Sequence, residues 1–368
     1  MTDTRANIYG GDISMYQKRA LIAGATGIVG LNVAEHLHDI GGWEITGLSR
    51  RPPAGASYMR SHAVDLLNRE AALRALADLK PTHVYYCTWT LGRNEDENIS
   101  LNGGMLRTLL DGVVATGTVE HVAVVTGTKH YLGPFEDYGK VTPVTPFRED
   151  APRLEKKNFY YELEDVAMDY ATRHGLGWSV HRSHTIIGYA VGNLMNIGAT
   201  LATYASICKA TGQPFVFPGT PTAYHGINDI TDARLLARHI VWASTEPNAR
   251  NEAFNATNGD VFRWEQLWQR IADYFGVPAA YPGEYNSLTE RMSDLGPQWE
   301  ALIAEHGLQP NALDRLASPW HTDLDLGRPM ECLHSMAKSR ALGFTDFQDT
   351  EQSFIDVFDR LRAERIIP

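Results

Sequence analysis

Three glycines at three-residue intervals are the clearest sign of chemistry in this sequence. Gly24, Gly27 and Gly30 lie in GATGIVG, between the apolar run RALIAG (19–24) and the helical pattern IVGLNVAEHLHD (28–39). Residues without a Cβ let the backbone turn sharply and approach a pyrophosphate, whose charge is favoured at the N-terminal end of the following helix. The strand, turn and helix together predict a dinucleotide-binding site rather than a glycine-rich turn without a ligand.

Basic residues at the end of the second strand bear on the type of dinucleotide. Sites that prefer NAD usually carry an acid there for the ribose hydroxyls, but this strand ends LSRRPP, with Arg50 and Arg51. Guanidinium groups suit a 2′-phosphate, so the pair favours NADPH over a solvated basic turn. Asp65, in SHAVDL, is predicted either to accept from the adenine amino group or to cap a helix. The expected cofactor contacts are Gly24, Thr26, Gly27, Ile28, Gly30, Ser49, Arg50, Arg51, Asp65 and Thr126.

A lysine follows the apolar strand in VVTGTKHYLGPFEDYGK (124–140), at position 129. The glycine spacing resembles the extended short-chain dehydrogenase/reductase superfamily, whose members normally carry Tyr-x-x-x-Lys on one helix. No tyrosine in the middle of this chain has a lysine four residues later: Tyr131, Tyr138, Tyr160 and Tyr161 are followed at that spacing by Phe135, Thr142, Glu164 and Asp165. Either catalysis is lost or its parts have moved.

Alternating strand and helix patterns position these residues. Strands are predicted at WEITGLSR (43–50), THVYYCTW (82–89), HVAVVTG (121–127) and GWSVHRSHTIIG (177–188), and helices at 68–79, near 94–115 and from about 160 to 174. Such a series predicts a Rossmann-type α/β fold, with a doubly wound parallel sheet and helices on both faces.

The alternation degrades after about residue 190, where a smaller, mostly helical C-terminal substrate lobe is predicted. We expect an N-terminal extension at 1–17, a dinucleotide-binding domain at 18–190 and the lobe at 191–368. A helix is predicted in GNLMNIGATLATYASICKA, a short strand at 215–219, and a strand, turn and helix over 252–277. The domain boundary near residue 190 is approximate, because strands near 215 and 254 can extend the first sheet.

Composition excludes several other classes of protein. The 368 residues carry a formal net charge of −11 without a basic run, which argues against nucleic acid as a partner. Apolar runs are strand-sized and the N-terminus lacks an apolar segment of signal-peptide length, so a cytoplasmic protein without a membrane span is expected. The cysteines at 87, 208 and 332 suggest reduced thiols, and His181 and His184 stand too far from other ligand types to predict a metal.

Several long motifs resemble one family of enone reductases. TGTKHYLGPFEDYGK, NFYYELED (158–165), GWSVHRS (177–183) and NEAFNATNGDVFRW (251–264) are similar to the progesterone 5β-reductase/iridoid synthase-like family, an atypical branch of the extended superfamily. The resemblance runs from about residue 18 to the C-terminus. It implies that Lys129 and Tyr160 take the catalytic positions, and that Trp89 takes the position of a substrate-side tryptophan.

The reaction of this family explains why a tyrosine and a lysine are needed. Hydride addition to the β-carbon of an enone or enal drives negative charge onto the carbonyl oxygen, where the phenol of Tyr160 would donate a hydrogen bond. Lys129 would favour charge sharing with the forming enolate, hold the nicotinamide ribose, or do both. The resemblance therefore implies NADPH-dependent reduction of a C=C bond, with a small-molecule substrate and, by analogy, a homodimer.

Two departures from the family pattern bear on the substrate pocket. Ser183 and His184 stand where Pro-Gly is common, and Tyr224 and His225 stand in an expected aromatic-acid-Gly segment. The family's steroid or monoterpene substrates are therefore not carried over. The residues predicted to line the pocket are Trp89, Phe147, Met195, Tyr204 and Trp320, although core packing is an alternative for each.

Two other functions compete with enone reduction. A carbonyl reductase or epimerase of the wider superfamily would use the same cofactor, but its Tyr-x-x-x-Lys is missing. A non-catalytic NADP sensor that regulates a partner would bind the dinucleotide and would lack a working pair of lysine and tyrosine. Product identification distinguishes the three.

Overall fold

A central sheet of seven parallel strands dominates the computed structural model, which describes residues 18–52, 57–134, 137–138, 140, 143–193 and 195–368. The strands of the protein are β1 (Lys18–Ala23), β2 (Trp43–Ser49), β3 (Arg60–Ala63), β4 (His83–Tyr86), β5 (His121–Gly127), β6 (Gly177–Ser183), β7 (Ile186–Ile187), β8 (Phe215–Val216), β9 (Thr231–Asp232), β10 (Glu252–Ala256) and β11 (Ala279–Ala280). The sheet order is β3-β2-β1-β4-β5-β6-β10. The order reverses between β1 and β4, where a ligand crevice opens at the carboxyl ends of the strands.

Helices cover both faces of the sheet and build the C-terminal lobe. They are α1 (Ile28–Ile40), α2 (Arg69–Leu76), α3 (Glu95–Val114), α4 (Lys129–Leu132), α5 (Phe159–His174), α6 (Ile197–Thr211), α7 (Pro221–His225), α8 (Ala233–Thr245), α9 (Trp264–Phe275), α10 (Leu288–Met292), α11 (Gly296–His306), α12 (Leu313–Leu316), α13 (Pro319–Leu326), α14 (Ala337–Ala341) and α15 (Thr350–Ala363). Apolar faces of α2, α3 and α5 pack on one side of the sheet, and those of α1 and α8 pack on the other. This confirms the predicted Rossmann-type α/β fold.

The lobe has its own apolar core, built mainly by α6, α9, α11 and α15. Trp268, Trp299, Phe354 and Phe358 are fully buried in it. Trp268 stacks on Phe215 with ring centroids 4.0 Å apart and donates its indole N–H to the Phe215 carbonyl at 2.9 Å. The tryptophans of this half therefore serve mainly to fill a second core beside the sheet.

Most predicted strands and helices are found, with three differences. The strand predicted at 82–89 is regular only from His83 to Tyr86. The pattern at 177–188 divides into β6 and β7, and β7 pairs with β9 in a separate small sheet. Of the two strands that could extend the main sheet, β10 pairs in parallel with β6, whereas β8 pairs with β11 in the lobe.

Chain segments beyond residue 190 return to the sheet. Helix α8 packs against α1, and β10 forms the edge beside β6. The division at residue 190 stays a prediction, and the extension predicted at 1–17 lies outside the described residues. Among the described residues, no helix is both long and apolar enough to cross a membrane.

Candidate active site

A cleft of about 900 Å³ lies at the carboxyl ends of the central strands. Its floor is the glycine turn between β1 and α1, and its far wall comes from the lobe. Among the predicted cofactor residues, the cleft is lined by Gly24, Thr26, Gly27, Ser49, Arg50 and Asp65. The shape and position fit an extended dinucleotide.

The glycine turn depends on missing Cβ atoms. Gly24 has φ +84°, and a Cβ there would lie 2.7 Å from the Cys87 carbonyl oxygen. A Cβ on Gly30 would overlap the Gly24 carbonyl oxygen, so Gly30 allows close packing and does not face the ligand. Gly27 precedes α1 without a side-chain cap, which leaves first-turn N–H groups for a phosphate. The turn therefore fits the pyrophosphate of a nicotinamide dinucleotide.

The remaining predicted cofactor residues lie in different places. Ile28 and Thr126 line a second cavity, described below. Arg51 is exposed and lines neither cavity, so only Arg50 of the basic pair reaches the cleft. Asp65 accepts from the backbone N–H of Leu67 at 3.0 Å, and the cap of α2 is Asn68 instead. Asp65 therefore holds a turn at the cleft and does not cap the helix.

A smaller cavity of about 200 Å³ shares part of its wall with the cleft. Both cavities are lined by Gly27, Cys87, Thr88, Trp89 and Asn193. Lys129 and Tyr160 both line the smaller one. The structure thus brings the two residues, which are 31 positions apart in the sequence, to one cavity beside the dinucleotide cleft.

Tyr160 lies in the first turn of α5. The side chain of Asn158 accepts from the Tyr160 backbone N–H at 3.0 Å and donates to the Lys129 carbonyl at 2.8 Å, which ties the two turns together. A Cβ on Gly127 would lie 3.4 Å from the Tyr160 hydroxyl, so the strand end passes close to the phenol. Burial raises the pKa of Tyr160, and Glu95 raises it further. The phenol is therefore protonated at neutral pH and can donate a hydrogen bond.

Lys129 is buried and forms an ion pair with Glu95. Its Nζ lies 2.6 Å from Glu95 Oε2 and 4.5 Å from the centre of the Phe159 ring. The other oxygen of Glu95 accepts from the backbone N–H of Phe159 at 2.7 Å. Sequence reasoning missed Glu95, although its place in the acidic first turn of α3, after the Asn94 cap, was a signal.

The other nearby tyrosines differ in position. Tyr138 lines the smaller cavity. Tyr161 is buried and donates to the His130 carbonyl at 2.6 Å, which makes it a structural residue. Of the two adjacent tyrosines in NFYY, Tyr160 is therefore the one that reaches the cavity.

Three of the five residues predicted to line the substrate pocket line one of the two cavities. Trp89 lines both cavities, Met195 lines the smaller one, and Trp320 lines the cleft. Phe147 is buried and stacks on Tyr131 with centroids 4.8 Å apart, and Tyr204 is buried in the lobe core against Phe215. The predictions for Phe147 and Tyr204 are corrected, because residue type did not reveal that both face a core.

The two departures from the family pattern lie in different parts of the structure. His184 lines the smaller cavity beside Ser183. Tyr224 packs against Phe217 and Tyr281 in the lobe, and His225 is exposed and contacts Glu265 at 3.1 Å. Only the first departure therefore alters a cavity wall.

His184 does not stand apart from other ligand types, contrary to the expectation from sequence. Asp229 accepts from His184 at 2.9 Å and from His334 at 3.0 Å, and these three buried groups lie within 4.8 Å of one another. The outer nitrogen of His184 faces the Arg328 guanidinium, while that of His334 lies 3.1 Å from the Thr128 hydroxyl. A guanidinium at this position opposes a bound cation, so we interpret the group as a hydrogen-bond network behind the turn that carries Lys129.

The sheet order, the glycine turn and the C-terminal lobe define a Rossmann-fold protein. Solved structures share this fold. A UDP-glucose 4-epimerase from Thermus thermophilus, solved with NAD, aligns with a TM-score of 0.65 at 17% identity over 94% of this chain and 99% of that one. An epimerase from Methanothermobacter thermautotrophicus aligns with a TM-score of 0.68 at 16% identity over 95% and 94%.

Sequence comparison identifies the branch. The PRISE-like Rossmann-fold domain matches residues 62–368, so the chain belongs to this family. An (S)-8-oxocitronellyl enol synthase from Camptotheca acuminata is 42% identical, covering 96% of this chain and 94% of that protein. The 3-oxo-Δ4,5-steroid 5β-reductase of Arabidopsis thaliana is 38% identical, covering 96% and 94%. The family resemblance seen in the motifs is confirmed.

Proposed function

We propose that the protein reduces the C=C bond of small enones or enals with NADPH. The observation that carries the proposal is that Tyr160 and Lys129 line one cavity, which shares wall residues with the cleft beside the glycine turn. The names of the relatives support it, because a 3-oxo-Δ4,5-steroid is itself an enone and its 5β-reductase adds hydrogen to that C=C bond. Arg50 in the cleft supports NADPH over NADH, as a partner for a 2′-phosphate.

Tyr160 has the central role in the proposed reaction. When bound, NADPH supplies the hydride that adds to the β-carbon of the substrate. The electron pair of the C=C bond moves toward the carbonyl, whose oxygen gains negative charge and accepts a hydrogen bond from the protonated phenol. A proton then reaches the α-carbon, which gives the saturated ketone or aldehyde.

Lys129 acts beside Tyr160 in this proposal. Because Glu95 offsets the lysine's charge at 2.6 Å, the field of the ammonium at the phenol is reduced. We therefore assign Lys129 to hydrogen bonding within the cavity, with Glu95 and Asn158 as positioning residues that tie α3 and α5 to the lysine turn.

Cavity size favours small substrates. The volume of about 200 Å³ lies below the ~300–1,000 Å³ of sites that hold drug-sized ligands. Steroid enones are accordingly expected to be poor substrates, and cyclic enones or short enals to be better ones.

The test is NADPH oxidation by the purified protein with cyclic enones, acyclic enals and steroid enones, with identification of the products. We expect a saturated carbonyl product and a fall of about 100-fold or more in kcat for Tyr160→Phe. Tyr170→Phe is the matched control, because Tyr170 lies on the same helix, donates to Asp111 and lines neither cavity. An allylic alcohol product would indicate a carbonyl reductase, and NADPH binding without turnover would indicate a sensor.

A further inference from the structure

The smaller cavity has a polar wall that the proposed reaction does not use. Helix α13 and the turn after it place His321, Asp325 and Arg328 on the cavity that Tyr160 lines. Their side chains are only 11%, 6% and 8% exposed. Charged groups are rarely buried this deeply without a ligand or a complete set of partners.

Some polar atoms of this wall already contact other side chains of the protein. One terminal nitrogen of Arg328 donates to Asp325 Oδ1, and the other faces the outer nitrogen of His184. The guanidinium also lies over the Tyr138 ring, 5.4 Å from its centre. These contacts hold the ion pair in place at the cavity.

Three atoms of the wall have no hydrogen-bond partner within the described part of the chain. They are Arg328 Nε, His321 Nδ1 and Asp325 Oδ2, which lies 3.6 Å from His321 Nε2, beyond hydrogen-bond distance. Arg328 Nε can only donate and Asp325 Oδ2, as a carboxylate oxygen, can only accept. Buried polar atoms normally find a partner, so the set indicates a bound group that both accepts and donates.

The charges of the wall exclude an anionic group. Asp325 offsets Arg328, Asp229 offsets His184 when the imidazole is protonated, and Glu95 offsets Lys129. The cavity therefore has no excess positive charge to hold a carboxylate or a phosphate. A neutral group with both a donor and an acceptor fits this balance.

We propose that the cavity selects enones or enals that carry a hydroxyl group, which accepts from Arg328 and donates to Asp325. This inference rests on the proposed function for its reaction, but not for its binding. A substrate without the hydroxyl leaves the buried donor and acceptor unpaired, so the hydroxylated one is expected to have at least about tenfold higher kcat/KM.

Binding and turnover are measured separately. Dissociation constants of γ-hydroxycyclohexanone and cyclohexanone are determined with the protein saturated with NADP⁺, and kcat/KM is determined for γ-hydroxycyclohexenone and cyclohexenone. At least about tenfold preference for the hydroxylated member of each pair is expected. Preferential binding without turnover would leave the selectivity standing and contradict the reductase function alone. Equal dissociation constants and equal kcat/KM within the two pairs would mean that water satisfies these donors and acceptors, and would overturn the inference.

Variants of the wall residues test whether they cause the preference for hydroxylated ligands. Arg328→Met combined with Asp325→Leu removes the ion pair without leaving an isolated charge, and is expected to bring the ratio of dissociation constants within the ketone pair to about one. Arg238→Met combined with Asp346→Leu removes a surface ion pair of the same type and is the control that keeps the preference. His321→Phe provides a milder single change, expected to weaken the preference. A preference that survives both cavity variants would contradict the assignment.

Discussion

The proposed preference for NADPH depends on Arg50. Both Arg50 and Arg51 are exposed, but only Arg50 lines the cleft, beside Ser49. Arg50→Ala is expected to weaken NADPH binding by about tenfold or more, because charge-assisted hydrogen bonds to the 2′-phosphate are lost, and to leave NADH binding nearly unchanged. Fluorescence titration with both dinucleotides measures this. Arg51→Ala is the matched control, and an equal loss in both variants would argue for a general effect of surface charge.

We propose that the ion pair of Lys129 and Glu95 combines a structural role with a functional one. Lys129→Met alone leaves a buried carboxylate unpaired, and is expected to lower the free energy of unfolding by about 3–5 kcal/mol. Adding Glu95→Gln removes that charge and keeps an oxygen for the Phe159 N–H.

The double variant separates the two roles. It is expected to recover most of the stability in urea unfolding, while kcat/KM stays about 100-fold or more below that of the parent protein. Activity restored to the level of the parent would show that Lys129 acts only through the fold.

At the residue scale, the glycine turn was predicted from a local pattern, and the pair Lys129 and Tyr160 from the family resemblance. The structure places the turn at the cleft and the pair at the smaller cavity, and their roles stay predictions. Glu95 was missed because its partner lies 34 positions away, and no short pattern encodes that contact. Arg328 and Asp325 were missed for the same reason, since the cavity that they line forms only when the lobe packs on the sheet.

The glycine turn is an element whose packing can be tested. Ala at position 30 would overlap the Gly24 carbonyl, so Gly30→Ala is expected to lower the free energy of unfolding by about 1–3 kcal/mol and to weaken dinucleotide binding. Gly104→Ala in α3 meets no atom within 4 Å and is expected to raise stability by up to about 1 kcal/mol. Thermal unfolding compares them, and equal melting temperatures would contradict the packing argument.

Helix α5 is held to the sheet by the buried carboxylate of Glu164. Oε1 accepts from Arg182 at 3.1 Å, and Oε2 accepts from Arg153 at 3.0 Å. Burial alone would raise the pKa of Glu164, but His130 and Arg182 lower it to about 2, below the ordinary 4.5. Because the folded pKa is lowered, its stabilisation is complete above pH 4.5 and is lost as the pH falls toward 2.

Glu164→Gln is expected to cost about 3 kcal/mol in the free energy of unfolding at neutral pH, and the difference should shrink as the medium is acidified. Glu162→Gln removes a partly exposed ion pair with Arg107 on the same helix, and is expected to cost less than about 1 kcal/mol. Urea unfolding at a series of pH values measures both. A Glu164→Gln deficit that is independent of pH would contradict the assigned pKa.

Helices with a clear hydrophobic periodicity were predicted well, and strands of only two residues were not. Helices α1, α3 and α5 lie within a few residues of their predicted bounds, since their apolar faces pack on the sheet. The pattern at 177–188 looked continuous, but after Ser183 the chain leaves the sheet and Ile186 pairs with Thr231. Strands of two residues, such as β8, depend on tertiary partners that a local pattern does not contain.

At the scale of the whole molecule, the chain builds one reaction site from two regions. The sheet supplies the dinucleotide cleft and the turn that carries Lys129, while the lobe closes the cavity with α13 and the polar wall. The fold class followed from the strand and helix alternation, and the substrate-facing surface did not, because the fold alone does not determine function.

Isotope transfer tests the central claim most directly. NADPH deuterated at its transferable hydrogen is incubated with the protein and a small enone, and the product is examined by NMR spectroscopy. The proposed reaction predicts a saturated ketone with deuterium on the β-carbon, and no such product from Tyr160→Phe over the same period. Deuterium on the carbonyl carbon of an allylic alcohol would contradict conjugate reduction.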